Sequence, residues 1–242
     1  MRMNARALGA VTAALVAVAP QYAAAQTLSC RLPDTIPAAR PDLPDASQPK
    51  RVLPIGGYTL AVTWGPEFCQ AHKRDPDAAF QCRKGNRFGF TLHGLWPDGE
   101  GPQWPQYCAA TDLVPPEVTR ATLCSTPSAQ LIQHEWAKHG TCMGTTPAAY
   151  FGESTRLFAA LRFPDMAALS RRPGLTAIAV AREVARLNPG IDAGMMRITT
   201  NTKGWLQEIW FCLDTERRYH QCPAHQGGVA PGSFIKIWRG PR

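Results

Sequence analysis

The alternation of apolar and polar positions divides the chain into recognisable elements. Residues 58–64 (YTLAVTW) alternate over seven positions, predicting a strand that Gly65-Pro66 ends. Residues 70–87 are charged and read as loop. Arg87 to Leu92 (RFGFTL) predicts a second strand that runs directly into HGLWPDGEG. There His93 ends the strand, and Gly94 and Pro97 set a tight exit. Residues 93–125 then form a long connection punctuated by Gly and Pro, with Trp96, Trp104 and Tyr107 along it. Irregular loops of that length are usually functional or disordered, and the aromatics and cysteines argue against disorder. Thr126-Pro127 reads as a cap and first helical position for a helix to about Lys138, stopping near Gly140. Further helices are expected over Pro147–Leu161 and Thr176–Leu187. Sheet returns at Met195–Thr200, Trp205–Cys212 and Phe234–Trp238, with a turn at Thr202-Lys203-Gly204. Strands, helices and strands without a βαβ rhythm predict an α+β fold: one domain, its mainly antiparallel sheet packed against helices.

The N-terminus changes the reading of everything after it. Arg2 and Arg6 precede an apolar stretch from Ala7 to Pro20, and Ala23-Ala24-Ala25 makes a small-residue cleavage site before Gln26. Residues 1–25 therefore read as a signal peptide, with a retained anchor as the alternative. The mature chain then divides into a Pro-rich arm at 26–54, extended, poorly packed and tied down by Cys30, and a single domain at 55–242. No later stretch is long enough to span a membrane, and no accessory domain is evident, which favours a monomer. The formal charge of +8, two units of it in the leader, suits a polyanionic substrate or a membrane surface without choosing between them. All eight cysteines follow the leader and none forms a CxxC pair. They read as up to four disulfides in an oxidising compartment, the periplasm or, alternatively, the extracellular space.

Candidate chemistry concentrates in His134-Glu135-Trp136-Ala137-Lys138-His139-Gly140-Thr141-Cys142. At about 100° per residue, His134, Lys138, Glu135 and His139 fan over about 140° of helix surface. The bland alternative is a solvated polar face with Glu135 and His139 paired at i,i+4. A zinc-protease motif, H-E-x-x-H, would set its histidines four apart on one ridge; here they are five apart and diverge, so no metal is expected. His93 in Phe90–Pro97 supplies a second imidazole, or alternatively a buried structural histidine beside a turn.

Together the two blocks, FTLHGLWPDG at 90–99 and HEWAKHGTC at 134–142, strongly resemble the T2 family of ribonucleases. LAVTWGPEFC at 60–69 and EIWFCLD at 208–214 extend the resemblance over most of the mature chain, the Pro-rich arm being least typical. The resemblance implies cleavage of single-stranded RNA without cofactor or metal: the ribose 2′-hydroxyl attacks phosphorus to leave a 2′,3′-cyclic phosphate, then a 3′-phosphate. It implies His139 as general base, His93 as general acid, His134 as phosphate ligand and Lys138 as stabiliser of the phosphorane. Glu135 takes a supporting role: holding His139 or Lys138, raising a histidine pKa, or being protonated in acid. Trp96, Asp98 and Trp104 resemble base-binding positions of broad specificity, although Trp96 also suits a core. Disulfides Cys108–Cys142 and Cys212–Cys222 follow by the same analogy, and the further pairs expected are Cys69–Cys82 and Cys30–Cys124. The rivals are a nucleic-acid-binding or cytotoxic module, another histidine-dependent phosphodiesterase, and a structural disulfide-rich domain.

Overall fold

The computed structural model describes residues 27–83 and 85–240; the expected signal peptide lies outside them. In chain order the elements are β1 (Thr27–Ser29), β2 (Ile55–Trp64), α1 (Gly65–His72), α2 (Ala79–Cys82), β3 (Arg87–Phe88), β4 (Phe90–Gly99), α3 (Pro116–Thr122), α4 (Ala129–Lys138), α5 (Pro147–Ala160), α6 (Met166–Leu169), α7 (Ala177–Leu187), β5 (Met196–Thr200) and β6 (Leu206–Leu213). The main sheet is antiparallel throughout in the order β4-β2-β6-β5, and β1 and β3 form a separate pair. The fold is α+β, as the order of elements predicts.

Alternation decides which face is which. Leu60 and Val62 of β2, Ile209, Phe211 and Leu213 of β6, and Met196 and Ile198 of β5 are all buried in the core. Tyr150, Phe151, Leu157 and Phe158 of α5 and Val180, Ala181 and Val184 of α7 belong to the same cluster. Removing such apolar surface from water is the main stabilising term, of order 1.5–3 kcal/mol for each fully buried large side chain. The intervening positions, Thr59 and Thr63 of β2 and Glu208 and Trp210 of β6, point to the other face. That face carries the polar groups described below.

Several local expectations are corrected. The segment after Leu92 is not loop: β4 continues to Gly99, and α3 interrupts the rest of the connection. The register pairs Ala61 with Gly94 and Val62 with Leu92, so His93 is the extra residue of a β-bulge rather than a strand end. A bulge bends the strand and re-aims its side chains. Pro97 fits within the strand because β4 is an edge strand and its missing N–H breaks no inner ladder. Residues 70–87 hold the end of α1 and all of α2, closed by the Cys69–Cys82 disulfide. Helix α4 starts later than Thr126-Pro127: Ser128 is its cap, accepting from the Leu131 N–H, while the Thr126 hydroxyl donates to the Leu92 carbonyl. Phe234–Trp238 makes single bridges to Thr176 and Trp205 but no strand. Its apolar alternation arises because Ile235 and Ile237 pack into the core.

The remaining disulfides join Cys30 to Cys124, Cys108 to Cys142 and Cys212 to Cys222. The first anchors the arm. Beyond it the arm packs Leu32 and Ile36 against the core.

Candidate active site

One cavity of about 410 Å³ on the polar face of the sheet is lined by His93, Trp96, Asp98, Trp104, His134, Glu135, Lys138 and His139. Every site residue expected from the sequence is therefore brought to a single place. Bulged β4 contributes His93, Trp96 and Asp98. Helix α4 contributes His134, Glu135 and Lys138, while His139 is its C-cap at φ −110°. Gly94 has no room for a Cβ, which would collide with the Glu135 carboxylate and the Trp96 indole. This close approach of strand to helix locks the two halves of the site together.

The two imidazoles assigned to proton transfer have opposite electrostatics. Nδ1 of His93 lies 2.5 Å from Oε1 of Glu208, and its Nε2 lies 3.5 Å from Oε1 of Glu135. Burial pulls the His93 pKa down, but the hydrogen bond and charge of Glu208, helped by the charge of Glu135, push it up to about 9. His139 is buried, and its Nδ1 has no hydrogen-bond partner among the described residues. Burial, with the charges of Lys138, His134 and His93, holds His139 well below the ordinary histidine value. At neutral pH His93 is therefore charged and His139 neutral. Trp96 stands beside both, its ring 5.0 Å from that of His93 and 5.5 Å from that of His139.

Glu135 is 1% exposed and does not pair with His139. Its Oε2 accepts from Nε1 of Trp96 at 2.8 Å. Desolvation raises its pKa to about 7 against the opposing pull of His93, Trp96 and Lys138. Lys138 is lowered by burial, with Glu135 and Asp42 opposing. Nδ1 of His134 lies 2.6 Å from Oδ2 of Asp42. His134, Glu135 and His139 each offer one donor atom within 4.8 Å of the others. The divergence expected of His134 and His139 on a continuous helix does not hold, because the chain leaves the α-helix at Lys138. Their side chains could thus surround a cation, although Lys138 beside them opposes one.

Asp98 accepts from Oγ1 of Thr59 at 2.6 Å, and that hydroxyl accepts from Nε2 of Gln226. Burial raises the Asp98 pKa against these hydrogen bonds. Trp104 is 43% exposed, with Arg51 over its ring and donating to its carbonyl at 2.9 Å. Trp96 is half-buried and packs edge-on against Trp210, so it belongs to the site wall more than to the core. Sequence reasoning missed Glu208, Asp42, Trp210 and Gln226. For Glu208 and Trp210 a signal existed: a carboxylate and an indole on the polar alternation of a strand otherwise apolar. Asp42 is one acidic residue in a Pro-rich arm, without pattern.

Fold and site together define a disulfide-bonded α+β protein whose cavity sets a charged imidazole, a neutral imidazole, a lysine and a buried carboxylate beside tryptophan. Comparison with known proteins gives the family. The model of the Ribonuclease T2 family matches residues 55–222, more than half of the chain, and the chain belongs to that family. Over 181 residues it is 28% identical to a probable ribonuclease of Haemophilus influenzae, covering 70% of this chain and 61% of that one. Over 150 residues it is 31% identical to ribonuclease I of Escherichia coli, covering 46% and 56%. It thus spans about three fifths of the length of these relatives. Among solved structures, trichomaglin, described as an S-like ribonuclease, superposes with a TM-score of 0.60 at 17% identity over 76% of this chain and 97% of that one. That likeness concerns the fold.

Proposed function

We propose that the protein is an endoribonuclease cleaving single-stranded RNA by metal-independent transesterification, with broad base specificity. The observation that carries this reading is the convergence on one cavity of His93, paired with Glu208, and of the buried His139 beside Lys138, surroundings that shift the two imidazoles in opposite directions. The reaction needs a base for the 2′-hydroxyl proton and an acid for the departing 5′-oxygen, and sites that run both push paired titratable groups apart. His139, neutral, takes the 2′-hydroxyl proton as that oxygen attacks the adjacent phosphorus. His93, held as imidazolium by Glu208, gives a proton to the 5′-oxygen as its bond to phosphorus breaks. The products are a 2′,3′-cyclic phosphate and a 5′-hydroxyl; water then opens the cycle to a 3′-phosphate. His134 binds the phosphate and Lys138 meets the charge that builds on its non-bridging oxygens. Glu135 supports rather than transfers: it fixes Trp96 between the imidazoles and adds to the charge that keeps His93 protonated. Trp104 and Trp96 offer aromatic surface to unstacked bases, and Asp98 a polar edge. The leader-like N-terminus and four disulfides support export to an oxidising compartment, and we place the protein in the periplasm, as a monomer. Among the described residues no helix is long and apolar enough to cross a membrane.

The test is to incubate the oxidised protein with an RNA oligonucleotide and its all-2′-deoxy twin in excess EDTA and weigh the products. A cyclic phosphate from RNA alone is the expected result. Cleavage that requires restored divalent metal would overturn the mechanism and give His134, Glu135 and His139 a ligand role instead.

A further inference from the structure

We propose that the N-terminal arm completes the active site, with Asp42 as the positioning residue that orients and supports His134. This deepens the reading of His134 as the phosphate ligand and rests on it. Asp42 lies outside the family match at 55–222, yet its Oδ2 is 2.6 Å from Nδ1 of His134. A carboxylate can only accept, so Nδ1 carries the hydrogen. Nε2 is left as the imidazole's remaining polar atom, and it can donate to a phosphoryl oxygen only when the ring is an imidazolium. Burial, with the charges of Lys138 at the end of α4 and His93 on β4, opposes that charge and holds the His134 pKa below the ordinary histidine value, while the charge and hydrogen bond of Asp42 from the arm work against them; Glu135 and the neutral His139 stand beside the ring on α4. The hydroxyl of Tyr107 reaches the same carboxylate at 3.3 Å. Tyr107 itself holds the left-handed conformation at φ 51°, with its N–H on the Lys138 carbonyl and the Cys108–Cys142 disulfide next in the chain. A non-glycine residue held there is over-determined by its surroundings. The same arm brings Gln48 to the cavity wall and Arg51 onto Trp104. The relay Tyr107–Asp42–His134 therefore ties the arm, the long loop and the catalytic helix at one carboxylate.

The experiment compares the wild type with Asp42→Asn and Asp42→Glu in the full chain with Cys30–Cys124 intact. Steady-state kinetics on a single-stranded RNA oligonucleotide are paired with imidazole NMR of His134 titrated with inorganic phosphate. Asparagine keeps the size and an acceptor but removes the charge. Asp42→Asn is expected to raise KM about tenfold with a smaller change in kcat, as for loss of one charge-assisted hydrogen bond. The His134 titration and the pH above which KM climbs should both move acidward, and Asp42→Glu should restore most of the effect. Wild-type KM together with an unmoved His134 titration in Asp42→Asn would overturn the proposal. A wild type that cleaves no RNA, yet whose His134 shifts and loses phosphate affinity on Asp42→Asn, would uphold the contact and sink the ribonuclease reading instead.

Discussion

At the scale of single residues, the pH behaviour of the site follows from two carboxylates. Glu208, helped by Glu135, pushes the His93 pKa up to about 9, so with His93 as the proposed acid the alkaline fall in kcat/KM should report the loss of that proton. Glu208→Gln removes the charge that offsets burial, and the alkaline limb should move acidward in a pH–rate profile, with little change at the acid end. His93→Ala and His139→Ala should each lower kcat on the order of 10²–10⁴-fold, measured on an oligonucleotide by product mass. Glu135 gives a stability prediction of opposite sign to an ordinary carboxylate. Its native pKa of about 7 lies above the ordinary value of 4.5, so the native state binds the extra proton and stability declines as pH rises between them. Urea unfolding of Glu135→Gln should match the wild type near pH 4.5 and exceed it above pH 7, while kcat falls. His93 works the same way at a higher window: the stability its partners confer is whole below about 6.5 and lost as pH rises through 9.

At the scale of elements, the site depends on how α4 and β4 begin and end. Ser128 caps α4, and Ser128→Ala should remove about 1 kcal/mol from the unfolding free energy without touching the cavity. The Cys108–Cys142 bond closes a separation of 34 residues and fixes the chain just beyond His139. Replacing both cysteines by serine should cost about 3–4 kcal/mol on loop-entropy grounds, read from urea midpoints. It should also lower kcat at temperatures where the variant is still folded, because His139 is the last residue held by a backbone bond to α4, to the Glu135 carbonyl, and the disulfide fixes the chain just beyond it. The β4 bulge shows why part of the site was misread in sequence. HGLWPDG has the Gly and Pro of a turn, and only pairing with β2 turns it into an edge strand with His93 as its extra residue. Helices α5 and α7 were legible to within a residue or two because apolar periodicity sets them locally, and α5 is also capped by the Thr146 side chain, which accepts from the Ala149 N–H. The order of strands, helices and strands likewise made the α+β class legible.

At the scale of the whole molecule, a net positive charge and the proposed RNA substrate make association sensitive to ionic strength. Raising salt from about 50 to 200 mM should raise KM for an RNA oligonucleotide several-fold or more while leaving kcat nearly unchanged. The sequence by itself determined the chemistry available: two blocks carrying His93, His134, Glu135, Lys138 and His139, eight cysteines behind a leader-like segment, and an alternation that separates a core face from a polar one. These are local properties, written in residue type and spacing. Tertiary structure alone decided which proton each imidazole holds. Glu208 lies 115 residues from His93 and Asp42 lies 92 residues from His134, and no local pattern encodes either contact. Their effect is strong because burial removes water: desolvation lowers each imidazole, Glu208 and Glu135 overcome it at His93, and lysine and histidine charges add to it at His139.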